Sequence, residues 1–195
     1  MSDIFGGLPR RHFGAILVDP PWTFAAYSGK GKKRSAERYY DTMTTAQVAA
    51  MPVGDLAADD CCLFVWVSWP HLPDAFELMR TWGFDYKTCG FDWMKVRGAD
   101  MSCDYPEPTI SLGYWTRTNS EPCLLATRGN PKRRNRGVRM GIIEPRREHS
   151  RKPDCVRDRI MRLVDGPYLE LFARSEATGW TSWGNEVGKF RQAAE

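Results

Sequence analysis

Short apolar runs alternate with amphipathic stretches along most of this chain. Residues 15–18 (AILV) form an apolar run that stops at Asp19-Pro20-Pro21-Trp22, which predicts a strand closed by a rigid turn. Residues 27–38 are rich in glycine and lysine and read as a mobile loop. Residues 44–56 suit a short helix with Thr44 or Thr45 as its N-cap, and 61–68 (CCLFVWVS) a strand buried on both faces. A helix over 72–82 is stopped by Gly83, and strands are expected within 84–95 and over 122–127. A helix over 152–163, a turn at Gly166-Pro167 and strands over 168–173 and 181–184 complete the pattern. Strands spaced by helices predict an α/β fold: one domain over 1–195, with a mainly parallel, doubly wound, Rossmann-like sheet and helices on both faces.

Composition narrows the function classes. With 42% hydrophobic and 27% charged residues the chain reads as an ordinary globular protein. It has no 18-residue apolar run and no apolar signal core near the N-terminus, so the expected location is the cytoplasm, with no membrane partner. Six cysteines show neither C-x-x-C spacing nor ligand spacing to the three histidines, and are expected to be reduced and without metal. Charge changes the picture more. Ten basic residues against two acids between Arg128 and Lys152 give that segment +8, although the whole chain carries +4. The strip reads as a polyanion-binding surface, with Arg133, Arg134 and Arg136 as candidate phosphate contacts. Placed between a mid-sheet strand and the last core strands, its loops are expected to open onto the substrate side. Lys32 and Lys33 lie in GKGKK, which lacks the phosphate-loop pattern and reads as a basic substrate loop.

Two strand ends carry unusual chemistry, at the position where ligands sit in such sheets. An aromatic amine is a poor nucleophile because its lone pair is delocalised into the ring. Acceptors placed on its two N–H groups oppose that delocalisation. Asp19 offers a carboxylate and Pro20 a backbone carbonyl, and Pro20-Pro21 fixes the turn before substrate arrives. Trp22 offers a face on which an extruded base can stack. At the second end, Glu170 between Leu169 and Leu171 reads as a buried carboxylate able to accept the ribose hydroxyls of an adenosine cofactor, with Arg174 just beyond it. Tyr114-Trp115, in an irregular stretch, reads equally as base-stacking or core.

The chain resembles the MT-A70 family of N6-adenine methyltransferases, and among them the compact bacterial and phage members. The resemblance is carried by ILVDPPW, Tyr40-Asp41-Thr42-Met43, LFVWV, PHLP, WGF followed by Trp93-Met94-Lys95, RGNP, REHSRKPD, YLELFAR and the closing W-G-N-E. It implies S-adenosylmethionine as cofactor, no metal, and direct transfer to adenine N6. By the same resemblance Asp19, Pro20, Pro21 and Trp22 form the catalytic loop and Tyr40 lies in the adenine pocket. Glu170, Arg174, Asn185, Glu186 and Asn119 lie on the cofactor side, with Asp3 and Ile4 an upstream pair reading the cofactor's adenine. Nucleic acid is the expected partner, DNA ahead of RNA, with a homodimer or heterodimer also considered. The alternatives are an RNA N6-adenosine methyltransferase and an inactive nucleic-acid-binding subunit. The intact Asp19 speaks against the latter.

Overall fold

In the computed structural model, residues 4–23, 42–97, 108–109, 115–148 and 150–188 are described. Asp3, Lys32, Lys33 and Tyr40 lie outside them.

Strand β1 (Phe13–Val18) is an interior strand of a seven-stranded sheet. Its alternation sends Ile16 and Val18 to one face and Ala15 and Leu17 to the other, so both faces are buried. Helix α1 (Thr45–Ala49) starts at a capping box, in which Thr44 accepts from the Gln47 backbone and the Gln47 side chain from the Thr44 backbone. Strand β2 is Ala57–Trp66 and helix α2 is Leu72–Thr81. The helix ends at Gly83, whose φ of +78° suits a residue without Cβ. After β3 (Asp85–Val96) and β4 (Ser120–Arg128) come β5 (Gly141–Pro145), α3 (Cys155–Leu163), β6 (Tyr168–Leu171) and β7 (Trp180–Trp183). Val48 of α1 and Ala75, Leu78 and Met79 of α2 cover one sheet face. Val156 and Ile160 of α3 cover the other, so helices do flank both faces.

The strand order is β5-β3-β4-β2-β1-β6-β7, and the sheet is mixed. Parallel pairs join β1 to β2 and β6, β3 to β5, and β6 to β7, whereas β4 is antiparallel to both its neighbours. The sheet is mainly parallel, as expected, with β4 as the one reversed strand, and the cause of the reversal is local. No described helix joins β3 to β4, and a connection without a crossover brings the chain back antiparallel. Strand β5 is the second difference. Its five residues were hidden inside the basic strip, and only Ile142 enters the core while Ile143 stays exposed. The reversal of β4 fixes which end of the sheet each loop occupies. Six strands finish at one end, and β4 starts there and finishes at the other. At that other end Arg128 donates to the carbonyls of Gly54, Trp82 and Gly83 at 2.5, 2.6 and 3.2 Å, closing the core beneath α2.

Candidate active site

Asp19 follows the last residue of β1, between β2 and β6, where the chain's crossovers depart in opposite directions along the sheet. Its backbone N–H reaches the Leu171 carbonyl at 3.5 Å, continuing the β1–β6 ladder into the turn. Pro20 is buried and its carbonyl accepts from Trp22 N at 2.8 Å. That bond uses one acceptor site, and the carbonyl oxygen keeps a second lone pair. Trp22 also departs from expectation. Its ring is only 5% exposed, its Nε1 donates to the Trp66 carbonyl at 3.1 Å, and it stacks on His71 at 5.3 Å. The ring is committed to core packing and offers no open face to a base, because a large ring beside the apolar end of β2 is most stable buried. It acts as an anchor for the turn. His71 completes that anchor by bonding Ser68 Oγ at 2.7 Å and the Thr23 carbonyl at 3.1 Å.

The Asp19 carboxylate is held by a residue that the sequence placed on the substrate strip. Lys152 Nζ lies 2.8 and 2.9 Å from the two Asp19 oxygens and 3.1 Å from Glu121 Oε1. Lys95 Nζ then meets Glu121 Oε2 at 2.6 Å, and Lys152 also sits 5.6 Å from the Trp66 ring centroid. The four charges alternate in sign along one line. Burial acts to raise the Glu121 carboxyl, yet the ammonium groups of Lys152 and Lys95 bring it down to about 2. Burial likewise acts to lower Lys152, but the Asp19 and Glu121 carboxylates hold it well above the ordinary lysine range. Lys152 is therefore a fixed donor and not a base. Glu121 closes the 119–121 stretch expected on the cofactor side, whereas Lys95 and Lys152 carried no expected role beside Asp19. The only signal was REHSRKPD, since Lys152 meets Asp19 across 133 positions of chain.

On the β6 side a narrow cleft is lined by Asp19, Trp66, Lys152, Glu170, Phe172 and Arg174. Arg157 Nε bonds Glu170 Oε2 at 2.6 Å. Burial pushes the Glu170 carboxyl up, with Arg157 opposing and the Asp19 and Asp154 charges adding to the rise. Arg174 pairs with Glu186 at 3.3 Å. Asn185 is exposed beyond β7, at the same end of the sheet. Asn119 accepts from Lys95 N at 2.9 Å, just before β4, also at this end. Phe5 packs edge-on against Trp183 at 5.0 Å, which places exposed Ile4 beside the β7 exit. The structure thus gathers Asp19, Asn119, Glu170, Arg174, Asn185, Glu186 and Ile4 at one end.

The basic strip does not stay together. The carboxyl end of β4 lies five ladder positions from the Asp19 end, or about 17 Å at roughly 3.3 Å per residue. The loop that follows is tied to the α3 exit: Arg134 N donates to the Leu163 carbonyl at 2.8 Å, Arg133 bridges Val164, and Arg134 pairs with Asp165. Arg133 and Arg134 therefore sit opposite the carboxylate, because β4 is reversed. Residues 135–140 carry the chain back, so β5 starts level with the end of β2 and Arg146, Arg147 and Arg151 follow at the Asp19 end. There Asp154 takes Arg147 at 2.6 Å and Arg151 at 3.2 Å. Arg128 and Lys152, the limits of the strip, both serve the interior.

Among the described residues no cluster of three or more His, Cys, Asp and Glu could hold a metal ion. No helix among the described residues is long and apolar enough to cross a membrane. Cys61, Cys62, Cys89, Cys123 and Cys155 are free thiols, and burial pushes Cys62 up to about 11.

The chain is similar to known proteins along most of its length. The chain is 30% identical to the type II methyltransferase M.MunI of Mycoplasma sp, over 96% of its own length and 83% of that protein. It is 31% identical to human N(6)-adenine-specific methyltransferase METTL4, over 93% of its own length but 39% of the relative. It is 27% identical to human METTL3, named as an N(6)-adenosine-methyltransferase catalytic subunit, over 90% of its own length and 28% of the relative. The MT-A70 family model matches residues 13–186, a span that runs from the start of β1 to the residue paired with Arg174, and the chain belongs to the MT-A70 family.

Proposed function

We propose that this chain transfers a methyl group from S-adenosylmethionine to the exocyclic N6 of adenine in nucleic acid, DNA in preference to RNA. The observation that carries the reading is the Asp19 carboxylate, fixed by Lys152 at the carboxyl end of β1 and opening on the Glu170 cleft. The preference for DNA rests on length. The chain spans 83% of the type II methyltransferase, which we read as DNA-directed, and 28% of the adenosine-named METTL3. We read the fold as a Rossmann-like methyltransferase domain.

The residues present fit the cofactor. The cleft combines buried carboxylates with cations, a donor set matched to a molecule that carries ribose hydroxyls, an ammonium and a carboxylate. Glu170 would accept the ribose hydroxyls, Arg174 would hold the carboxylate, and Asn185 would bond the adenosine part. When bound, S-adenosylmethionine supplies an electrophilic methyl on a sulfonium. Asp19 and the free lone pair of the Pro20 carbonyl accept the two amine hydrogens and aim the nitrogen lone pair. Lys152 uses both Asp19 oxygens, so a carboxylate with about four acceptor sites is shared and stays oriented. Trp22 and His71 hold the turn rigid, and positioning lowers the barrier. An inactive binding subunit would have no use for a carboxylate so fixed.

Labelled methyl transfer to matched DNA and RNA oligonucleotides, with nucleoside analysis, tests the reading. N6-methyladenine in DNA is expected. No incorporation into either polymer overturns the activity, and preferential incorporation into RNA overturns the substrate.

Glu170→Ala and Asn185→Ala should each weaken S-adenosylmethionine binding by about 1–3 kcal/mol, by removing hydrogen-bond partners. Calorimetric titration that shows unchanged affinity in both folded variants would move the cofactor elsewhere. The opposite placement of Arg133 and Arg134 gives a further expectation. Their joint replacement by Ala should leave KM and its salt dependence unchanged for a short oligonucleotide. A slope change near 0.9 for each lost phosphate contact on duplex would return these arginines to the substrate interface.

A further inference from the structure

All eight tryptophans fall within the described residues, and of these Trp69 and Trp115 are the exposed ones. Both lie at the Asp19 end of the sheet. Trp69 is 44% exposed in the short turn after β2, and Trp115, fully exposed, precedes β4 by five residues. The Trp69 ring is also held in orientation. Its Nε1 donates to the Ser120 carbonyl at 3.2 Å and to Ser120 Oγ at 3.3 Å. Ser120 immediately precedes Glu121, so the ring is tied to the strand that carries the Asp19–Lys152–Glu121–Lys95 line. By contrast, the buried Trp66, Trp82 and Trp180 leave their indole nitrogens without a partner. An indole with its edge pinned and its face in water is a preorganised stacking surface. Exposed Arg117 and Arg146 add cations at the same end, the aromatic and basic mixture that suits a nucleic-acid strand.

We propose that Trp69, assisted by Trp115, stacks a nucleobase of the substrate that neighbours the adenine presented to Asp19. The inference rests on the nucleic-acid reading above and assigns to Trp69 the aromatic contact that buried Trp22 does not make. A base stacked on Trp69 must leave its own helical stack, so the protein engages at least one unpaired nucleotide beside the target.

The test uses a single-adenine DNA oligonucleotide and its forms with an abasic site on either side of the adenine. Binding is followed by fluorescence anisotropy and transfer by steady-state kinetics. Trp69→Ala should raise KM about tenfold, within the range of base–aromatic stacking, with kcat and cofactor affinity unchanged. Trp69→Phe should recover most of the loss, and Trp115→Ala should show a smaller rise. One abasic neighbour should raise the wild-type KM as much as Trp69→Ala does, and combining the two should add little. An unchanged KM in Trp69→Ala, or effects that multiply, overturns the stacking role. A wild type that binds DNA through Trp69 without methylating it would remove the methyltransferase reading and keep this one. A wild type that neither binds nor methylates overturns both.

Discussion

Asp19→Ala is expected to lose methyl transfer by on the order of a hundredfold or more, while S-adenosylmethionine binding stays largely intact. The carboxylate is the acceptor nearest the turn, and both of its oxygens are held by Lys152 at 2.8–2.9 Å. Its removal takes away the group that orients the amine and leaves the Lys152 ammonium with Glu121 alone. Asp19→Asn keeps the shape but replaces one acceptor by a donor, so it should fail in transfer almost as fully. Single-turnover methylation with saturating cofactor, alongside calorimetry of cofactor binding, gives the result. Activity above about a tenth of wild type in Asp19→Ala would end the role assigned to it.

Lys152→Met should give the largest loss of stability of any single substitution at the site. It leaves Asp19 without its ammonium and Glu121 with Lys95 only, both largely out of water. Removing one partner of a buried ion pair typically costs about 3–5 kcal/mol. Urea unfolding at pH 7 should show a loss of that size. Acid unfolding gives a separate check. Glu121 has its carboxyl at about 2 in the folded chain, below its ordinary 4.5. Its contribution is therefore present above about pH 4.5 and is lost as pH falls toward 2, in all about 3 kcal/mol at ~1.4 kcal/mol per unit. Lys152 is raised when folded, so its contribution is full below about 10.5 and fades only as the medium becomes more alkaline. In Lys152→Met the acid slope should flatten. Equal stability and an equal acid slope in variant and wild type would show the network to be solvated and without weight. Where the variant folds, its transfer rate should fall further than its cofactor affinity, because Lys152 orients Asp19.

What could be read from consecutive residues was local chemistry. Apolar runs of strand length, the Thr44 cap, the Gly83 stop and the Asp19-Pro20-Pro21-Trp22 turn each depend on a few neighbouring side chains. They reappear as β1, α1, the end of α2 and the turn after β1. The alternation in YLELFAR placed Glu170 between two buried leucines, and it lines the cleft. Matters of direction and partnership lay beyond that reach. A strand's pattern reports which faces are buried and says nothing of whether its neighbours run with it or against it. The reversal of β4 was therefore invisible, and with it the fact that one continuous basic strip divides between opposite ends of the sheet. A lysine in a charge run also gives no sign of the carboxylate it will meet, since ion pairs form through space. Lys152 became the clamp on Asp19 once the chain had returned through β5 to the end of the sheet where position 19 lies. Trp22 and Trp69 show the same division. Both are tryptophans at strand ends, and only packing made one an anchor within the core and left the other facing water.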